Sequence, residues 1–370
     1  MKKADRLNKL EMSKIRMTSK KMDAIEASGQ KIIRFTYGEP NFNTPDYIKE
    51  AAKKAIDENH TKFKPSQVIS THGGAQAAYL VLTTFLNPGD EVIIPNPMYN
   101  IYRIIGEICG ATVKEYKLKE ENGFQIDLKE MESLITDKTK MIVICSPSNP
   151  IGSVLTDENL EGLGELVKDK DLIICSDEMY ERLTYDGVQA SSPAKFDTMR
   201  DKTIIINGFS KAFAMTGWRI GYVITPEEWF EPLYLHTGHQ VSGMADFIIE
   251  ACTVALNDEP KYGTIEKMRA EFDERRKFLV KEINSMKHFS CLNPVGAFYI
   301  FMNIKKTGMT SDEFCDWIVE NYGVAMITGS CFGSEGEGFV RISYASSMED
   351  CKAAMEILHK ADEDLTAQGK

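Results

Sequence analysis

The sequence predicts an α/β fold: a mainly parallel sheet covered by helices on both faces, followed by a smaller α+β lobe. Three observations carry this. Through the middle of the chain, short apolar runs alternate with helix-length amphipathic segments, the pattern of strands buried on both faces. Four of those runs open directly into polar segments rich in Pro, Gly and Asn. Further on, a charge-rich stretch with helical spacing leads into a strand–helix–strand pattern.

Taken in order, the strands are Glu91–Pro95, Met141–Cys145, Leu172–Cys175 and Thr203–Ile206, with Ile220–Thr225 following after a loop. The first four run into Asn96-Pro97-Met98-Tyr99, Ser146-Pro147-Ser148-Asn149-Pro150, Ser176-Asp177-Glu178 and Asn207-Gly208-Phe209-Ser210-Lys211. Polar groups gathered at the carboxyl ends of parallel strands are where open α/β sheets bind ligands. From Lys261 to Met286, with Met268, Phe272, Phe278 and Leu279 at helical spacing, a long helix leaves the large domain. Val295–Asn303 then reads as a strand, Ser311–Asn321 as an amphipathic helix and Phe339–Tyr344 as a strand. Gly38-Glu39-Pro40 reads as a turn, and the residues before it as an arm that packs with the small lobe.

A chain of 370 residues, 43% hydrophobic and 27% charged, has the material for two domains. The net charge of −11 comes from acids and bases interspersed along the chain, with no basic stripe. Nucleic acid and anionic membrane are therefore not expected as partners. The N-terminus, Met1-Lys2-Lys3-Ala4-Asp5-Arg6, lacks the apolar core of a signal peptide. No apolar run reaches the roughly 18 residues of a membrane span, and a cytoplasmic protein is expected. The eight cysteines form no Cys-x-x-Cys pair, and Cys145 and Cys175 read as small buried hydrophobes. His236 and His239 lack an acidic or cysteine companion at metal spacing, so no metal is expected. Gly333-Ser334-Glu335-Gly336-Glu337-Gly338 fits neither a dinucleotide nor a P-loop spacing and reads as a loop. The eighteen methionines are spread as core filler.

The polar strand ends contain a set of residues suited to pyridoxal phosphate. Such a site needs a lysine for a Schiff base, an acid at the pyridine nitrogen, donors to the ring oxygen, a phosphate cradle and a grip on the substrate carboxylate. A carboxylate at the ring nitrogen keeps it protonated, so the ring can absorb the electrons released when a Cα bond breaks. Lys211 lies in Ser210-Lys211-Ala212-Phe213-Ala214-Met215-Thr216-Gly217-Trp218-Arg219-Ile220-Gly221, where apolar flanks favour a depressed pKa. Arg219 has the planar fork that suits a phosphate. Singly, these residues have plainer readings: Asp177 as a helix N-cap, Tyr99 as packing, Arg341 as a strand ion pair, Asn149 as a turn residue. At the ends of neighbouring strands, all the plain readings would have to hold at once.

The lysine segment resembles the motif of class I/II aminotransferases, the fold-type I superfamily. Phe35-Thr36-Tyr37-Gly38-Glu39-Pro40-Asn41-Phe42-Asn43-Thr44-Pro45 is similar to that family's N-terminal signature. Asn87-Pro88-Gly89-Asp90-Glu91-Val92-Ile93-Ile94-Pro95, Ser146–Gly152 and Asp177-Glu178-Met179-Tyr180 resemble its large-domain motifs. Gly296-Ala297-Phe298-Tyr299 and Arg341-Ile342-Ser343-Tyr344-Ala345 resemble those of its small domain, and the order is the family's throughout.

The resemblance implies a large domain with a mostly parallel seven-stranded sheet between helices, plus a small α+β domain. Its boundaries would be 1–44 for the arm and part of the small domain, 45–265 for the large cofactor-binding domain and 266–370 for the small one. It implies an aminotransferase that moves an amino group between an L-amino acid and a 2-oxo acid in two ping-pong half-reactions, through a Schiff base on Lys211. Asp177 would meet the pyridine nitrogen, and Asn149 and Tyr180 the ring oxygen. Tyr99 would stack on the ring. Gly74 and Ala75, at a helix N-terminus, would cradle the phosphate with Ser210 and Arg219. Arg341 would clamp the α-carboxylate, helped by the backbone of Gly38. A homodimer is implied, with active sites at the interface.

Two departures stand out. Typical members place a helix-containing stretch between a Lys-Tyr-x-Pro-like segment and the Gly-Gly turn; here Lys62-Phe63-Lys64-Pro65 is followed almost at once by Thr71-His72-Gly73-Gly74. Phe63 stands where a tyrosine hydroxyl usually reaches the neighbouring subunit's phosphate. Some aspartate-using relatives carry a lysine after the Gly-Gly pair, whereas this chain has Ala75, which favours a neutral or aromatic substrate side chain. Thr328 replaces a common proline. A carbon–sulfur β-lyase of the same fold remains the alternative; a non-catalytic regulatory module, which would need a fused DNA-binding domain and would tolerate loss of the lysine, is not expected.

Overall fold

The computed structural model describes residues 4–7, 14–62 and 68–369. Phe63 and Pro65, and with them most of the shortened segment, lie outside the described residues. Helix α1 (Lys14–Ala27), strand β1 (Ile33–Arg34) and helix α2 (Asp46–Asp57) come first. Then follow β2 (Ile69–Thr71), α3 (Gly74–Phe85), β3 (Glu91–Asn96), α4 (Ile101–Ile108) and β4 (Thr112–Lys117). Next are α5 (Leu128–Leu134), β5 (Thr139–Cys145), α6 (Asp157–Val167), β6 (Ile173–Asp177), β7 (Thr203–Gly208) and β8 (Gly221–Ile224). Helices α7 (Glu227–Val241), α8 (Asp246–Tyr262) and α9 (Thr264–Asn284) lead to β9 (Tyr299–Asn303) and α10 (Ser311–Tyr322). The chain ends in β10 (Val324–Ala325), β11 (Ile327–Thr328), β12 (Phe339–Ser343) and α11 (Met348–Ala367).

Seven strands form one sheet in the order β2-β8-β7-β6-β5-β3-β4, in which only β8 runs antiparallel to its neighbours. The central strands are buried on both faces, and their alternate residues feed two separate cores. Val92, Ile94, Met141 and Val143 pack with Ala77, Leu80 and Val81 of α3. Ile93, Ile142, Ile144 and Ile174 pack on the other face with Leu160, Leu163 and Val167 of α6. Each such side chain, fully buried, contributes roughly 1.5–3 kcal/mol relative to exposure. Parallel strands in register therefore bring Cys145 beside Asp177, and Asp177 beside Ile206, at one end of the sheet.

The smaller lobe contains the antiparallel sheet β11-β12-β9. Strand β1 pairs in parallel with β10, Ile33 opposite Val324. Three readings of the sequence needed adjustment. The helix expected from Lys261 to Met286 is broken at Gly263, whose φ of 60° ends α8 before α9 begins. The strand expected over Val295–Asn303 begins only at Tyr299, because Ala297 adopts a φ of 57°. Strand β4 escaped notice because Tyr116 is its one buried side chain. No helix among the described residues is long and apolar enough to cross a membrane.

Candidate active site

A cavity of about 520 Å³ opens at the carboxyl ends of the central strands, and every site residue expected from the sequence lines it, from Gly38 to Arg341. Lys211 stands in the turn just past β7, and its Nζ donates to the Gly38 carbonyl. Burial and the charges of Arg341 and Arg219 draw its pKa down to about 8, against the pull of Glu39 and Asp177. Asp177 ends β6. Burial raises its pKa, while hydrogen bonds from Tyr102 Oη at 2.7 Å and the Met179 amide at 3.2 Å oppose the rise.

Arg341 comes from β12 in the smaller lobe and reaches across to the large sheet. Its Nη1 donates to Asn149 Oδ1 at 2.9 Å, and Nη2 to the Thr36 carbonyl at 3.0 Å. The guanidinium lies between two rings, 4.5 Å from the centroid of Tyr299 and 5.1 Å from that of Phe332. Tyr180 shares a 2.8 Å hydrogen bond with Tyr299. Tyr99, in the loop after β3, presents a partly exposed ring to the cavity.

On the opposite side, Gly74 and Ala75 form the first turn of α3, with amides that have no partner inside the helix. Gly73 precedes them at φ 79°, and a Cβ there would lie 2.7 Å from Arg219 Nη2. Only glycine gives both that conformation and that approach. Arg219 is fixed by bonds to the carbonyls of Thr216 at 2.8 Å and His72 at 3.3 Å. Ser210 is buried beside Lys211.

The charges of this cavity are unbalanced in a particular way. Arg341 is 2% exposed, forms no ion pair among the described residues, and its buried Nε has no hydrogen-bond partner. A buried guanidinium without a counter-ion costs several kcal/mol, so the pocket calls for an anion. Arg219 is exposed, and among the described residues its hydrogen bonds go to carbonyls, so its charge is available to a second anion beside the α3 amides. Asp177, a carboxylate held by donors in the interior, calls for a cationic N–H. A substrate carboxylate, a phosphate and a protonated ring nitrogen satisfy these three demands, so the residues fit pyridoxal phosphate.

Sequence reasoning missed Tyr102, Thr36 and Ile15, all of which line the cavity. Tyr102 carried one signal, a phenol in the first turn of the helix that follows the polar end of β3, where ligands of such sheets bind. Thr36 acts through its carbonyl, which leaves no trace in residue type.

Residues 13–358 match the family model for aminotransferase class I and II. The chain is 38% identical to an aspartate aminotransferase of Pyrococcus abyssi, over 96% of this chain and 97% of that one. It is 37% identical to aromatic-amino-acid aminotransferase 2 of Thermococcus litoralis, with the same coverage. A solved Pyrococcus structure, described as protein A1, superimposes with a TM-score of 0.92 at 36% identity, covering 97% of this chain and 98% of the other. Relatives named as transaminases do not favour the β-lyase alternative. With a match that runs nearly end to end and a cavity whose charges ask for this cofactor, the chain belongs to the class I and II aminotransferases and is a pyridoxal-phosphate-dependent transaminase of amino acids and 2-oxo acids.

Proposed function

We propose that Lys211 is the covalent partner of the cofactor, with Asp177 at the ring nitrogen, Asn149 and Tyr180 at the ring oxygen and Tyr99 against the ring face. Gly74, Ala75, Ser210 and Arg219 hold the phosphate. When bound, the cofactor supplies a sink for the electrons released at Cα. Asp177 sustains that sink by remaining a carboxylate, which its bonds from Tyr102 and the Met179 amide favour. With the cofactor bound, the Lys211 amine would take the proton from the substrate Cα as general base and, as general acid, deliver it to the carbon on the far side of the amino nitrogen, two bonds away. A lysine near pKa 8 suits both roles. Arg341 grips the α-carboxylate, with the Gly38 backbone beside it, and so sets the angle of the Cα–H bond.

The observation that carries this reading is the buried Arg341, without an acidic partner among the described residues, in the cavity that holds Lys211 and Asp177. Substrate choice follows from what is left over. Once Lys211, Asp177, Arg219 and Arg341 have their roles, the remaining charged residue of the described lining is Glu39. A distal carboxylate would meet repulsion there, and Ile15, Tyr37, Tyr99 and Ile101 offer apolar surface. Neutral or aromatic side chains are therefore favoured, as in the relative named for aromatic amino acids. The cofactor-binding unit is taken as 45–265, with 266–370 and the arm 1–44 forming the smaller one.

A homodimer is part of this reading. Val68, Tyr79, Ile224, Tyr234 and Leu235 are exposed on and beside β2, α3, β8 and α7, elements that pack against one another. Such a patch fits an interface. A cytoplasmic setting accords with eight free cysteines.

The test is to mix holoenzyme with single amino acids and no oxo acid. One equivalent of 2-oxo acid, with loss of the lysine-linked visible band, is expected, fastest with aromatic or neutral donors. Aspartate leading the panel would overturn the substrate reading, and continuous pyruvate and ammonia release would overturn the proton-transfer roles. A monomer in sedimentation equilibrium would remove the dimer.

A further inference from the structure

We propose that Tyr299 is a positioning residue that couples the carboxylate clamp, Arg341, to the ring-oxygen phenol, Tyr180, so that filling the clamp weakens the hydrogen bond Tyr180 gives. The inference rests on the roles proposed above for those two residues.

The geometry is continuous. Strand β9 begins at Tyr299, opposite Ser343 of β12, two residues from Arg341. The Tyr299 ring is fully buried, with the Arg341 guanidinium 4.5 Å from its centroid. Phe332 holds the other side of the same guanidinium at 5.1 Å. At the far end of the ring, Tyr299 Oη meets Tyr180 Oη at 2.8 Å. A Cβ on Gly38 would lie 3.2 Å from that hydroxyl, so the backbone closes in beside it.

Chemistry fixes the direction of the shared hydrogen bond. Tyr180 has one proton, and if it goes to the ring oxygen, Tyr180 Oη must accept from Tyr299. Burial raises the pKa of both phenols, and at Tyr299 the charge of Arg341 opposes that rise. The cation against the ring makes the Tyr299 hydroxyl a stronger donor, and a stronger donor polarises the next hydrogen bond in the chain. A carboxylate on Arg341 offsets that charge. Tyr299 then donates less strongly, Tyr180 follows, and the ring oxygen keeps more negative charge. The nitrogen linked to Lys211 should hold its proton to higher pH as a result. Tyr99 and Cys145 also face Tyr299, and burial keeps the Cys145 thiol protonated well above the working range.

The experiment is a pH titration of the visible band of resting holoenzyme, with and without saturating propionate, a carboxylate that has no amine. In the wild type, propionate should raise the spectral pKa by about half a pH unit or more, the size of one modest hydrogen bond. In Tyr299→Phe the resting value should already be higher by a similar amount, and the propionate response should fall below half. Its kcat should drop about three- to tenfold with KM little changed. Phe332→Leu, which loosens the same guanidinium but keeps both phenols and the cation beside Tyr299, should move the resting value by less than half as much. No propionate response in the wild type, a Tyr299→Phe titration equal to wild type, or an equal shift in Phe332→Leu would each overturn the coupling. Two further variants separate causes. If Tyr180→Phe leaves the resting value unmoved, or Arg341→Lys binds propionate as the wild type does, the underlying roles fail and the coupling with them. If both behave as assigned and Tyr299→Phe does not, Tyr299 alone is eliminated.

Discussion

Tyr102, in the first turn of α4, donates a 2.7 Å hydrogen bond to Asp177 at the end of β6. The phenol is 1% exposed, so no water can take its place at that carboxylate oxygen. Hydrogen bonds to charged groups contribute roughly 1.5–3 kcal/mol. Tyr102→Phe should therefore cut kcat by about tenfold or more. Burial already raises the pKa of Asp177, and loss of a donor to the anion raises it further. Because the carboxylate is the working form, the acid limb of the kcat–pH profile should move to higher pH. A steady-state pH series on both proteins checks it, and an unmoved acid limb would remove Tyr102 from the site.

Arg341 offers a second prediction through the asymmetry of its bonds. Asn149 and the Thr36 carbonyl fix the plane of the guanidinium, and its buried Nε has no hydrogen-bond partner among the described residues. Lysine keeps the charge but loses the planar fork and its fit between Tyr299 and Phe332. Arg341→Lys should raise KM for amino acids and lower kcat/KM by about a hundredfold. Primary amines lacking the carboxylate should react equally well, or equally poorly, with both proteins. Steady-state kinetics with an amino acid and its decarboxylated amine decide the matter.

How much of this was legible in the sequence depends on what each residue type advertises. Strands β5, β6 and β7 are apolar runs because both their faces are buried, and they were readable almost to the residue. Strand β4, Thr-Val-Lys-Glu-Tyr-Lys, lies at the sheet edge with Tyr116 as its buried anchor, too little pattern to separate it from a loop. Lys211, Asp177 and Arg341 were findable because their motifs occur in a family order. The pairing of Tyr180 with Tyr299 was not, since 119 residues separate them and nothing local marks either as a partner of the other. Thr36 contributes a carbonyl, which every residue possesses.

Gly73 supports a third prediction. Its φ of 79° is strained for alanine, and an added Cβ would press on Arg219 Nη2 at 2.7 Å. Gly73→Ala should cost about 1–2 kcal/mol in backbone strain and displace the guanidinium from the α3 amides. The dissociation constant for the cofactor should rise about tenfold, measured by fluorescence titration of apo-protein. The dephosphorylated cofactor should show little difference between the two proteins, because the perturbed contacts serve the phosphate.

Lys211 makes the last prediction, in which the sign can be worked through. In the unliganded protein its pKa falls from the ordinary 10.5 to about 8, because burial and then Arg341 disfavour the ammonium. The neutral amine is the form that attacks the cofactor's aldehyde. At pH 7 about a tenth of the lysine is neutral, against fewer than one in a thousand at the ordinary value. Linkage formation should thus accelerate about tenfold per pH unit up to about 8 and then level off. The same shift bears on stability. The unfolded chain binds more protons at this position between about 8 and 10.5, so the folded apo-protein gains stability as pH rises through that window. Stopped-flow growth of the visible band after mixing apo-protein with cofactor measures the first effect. Arg341→Gln removes the second-largest cause and should move the plateau upward. A rate that keeps climbing past pH 10 in the wild type would mean that the cavity does not depress this amine, and Lys211 would lose its claim to be poised for the reaction.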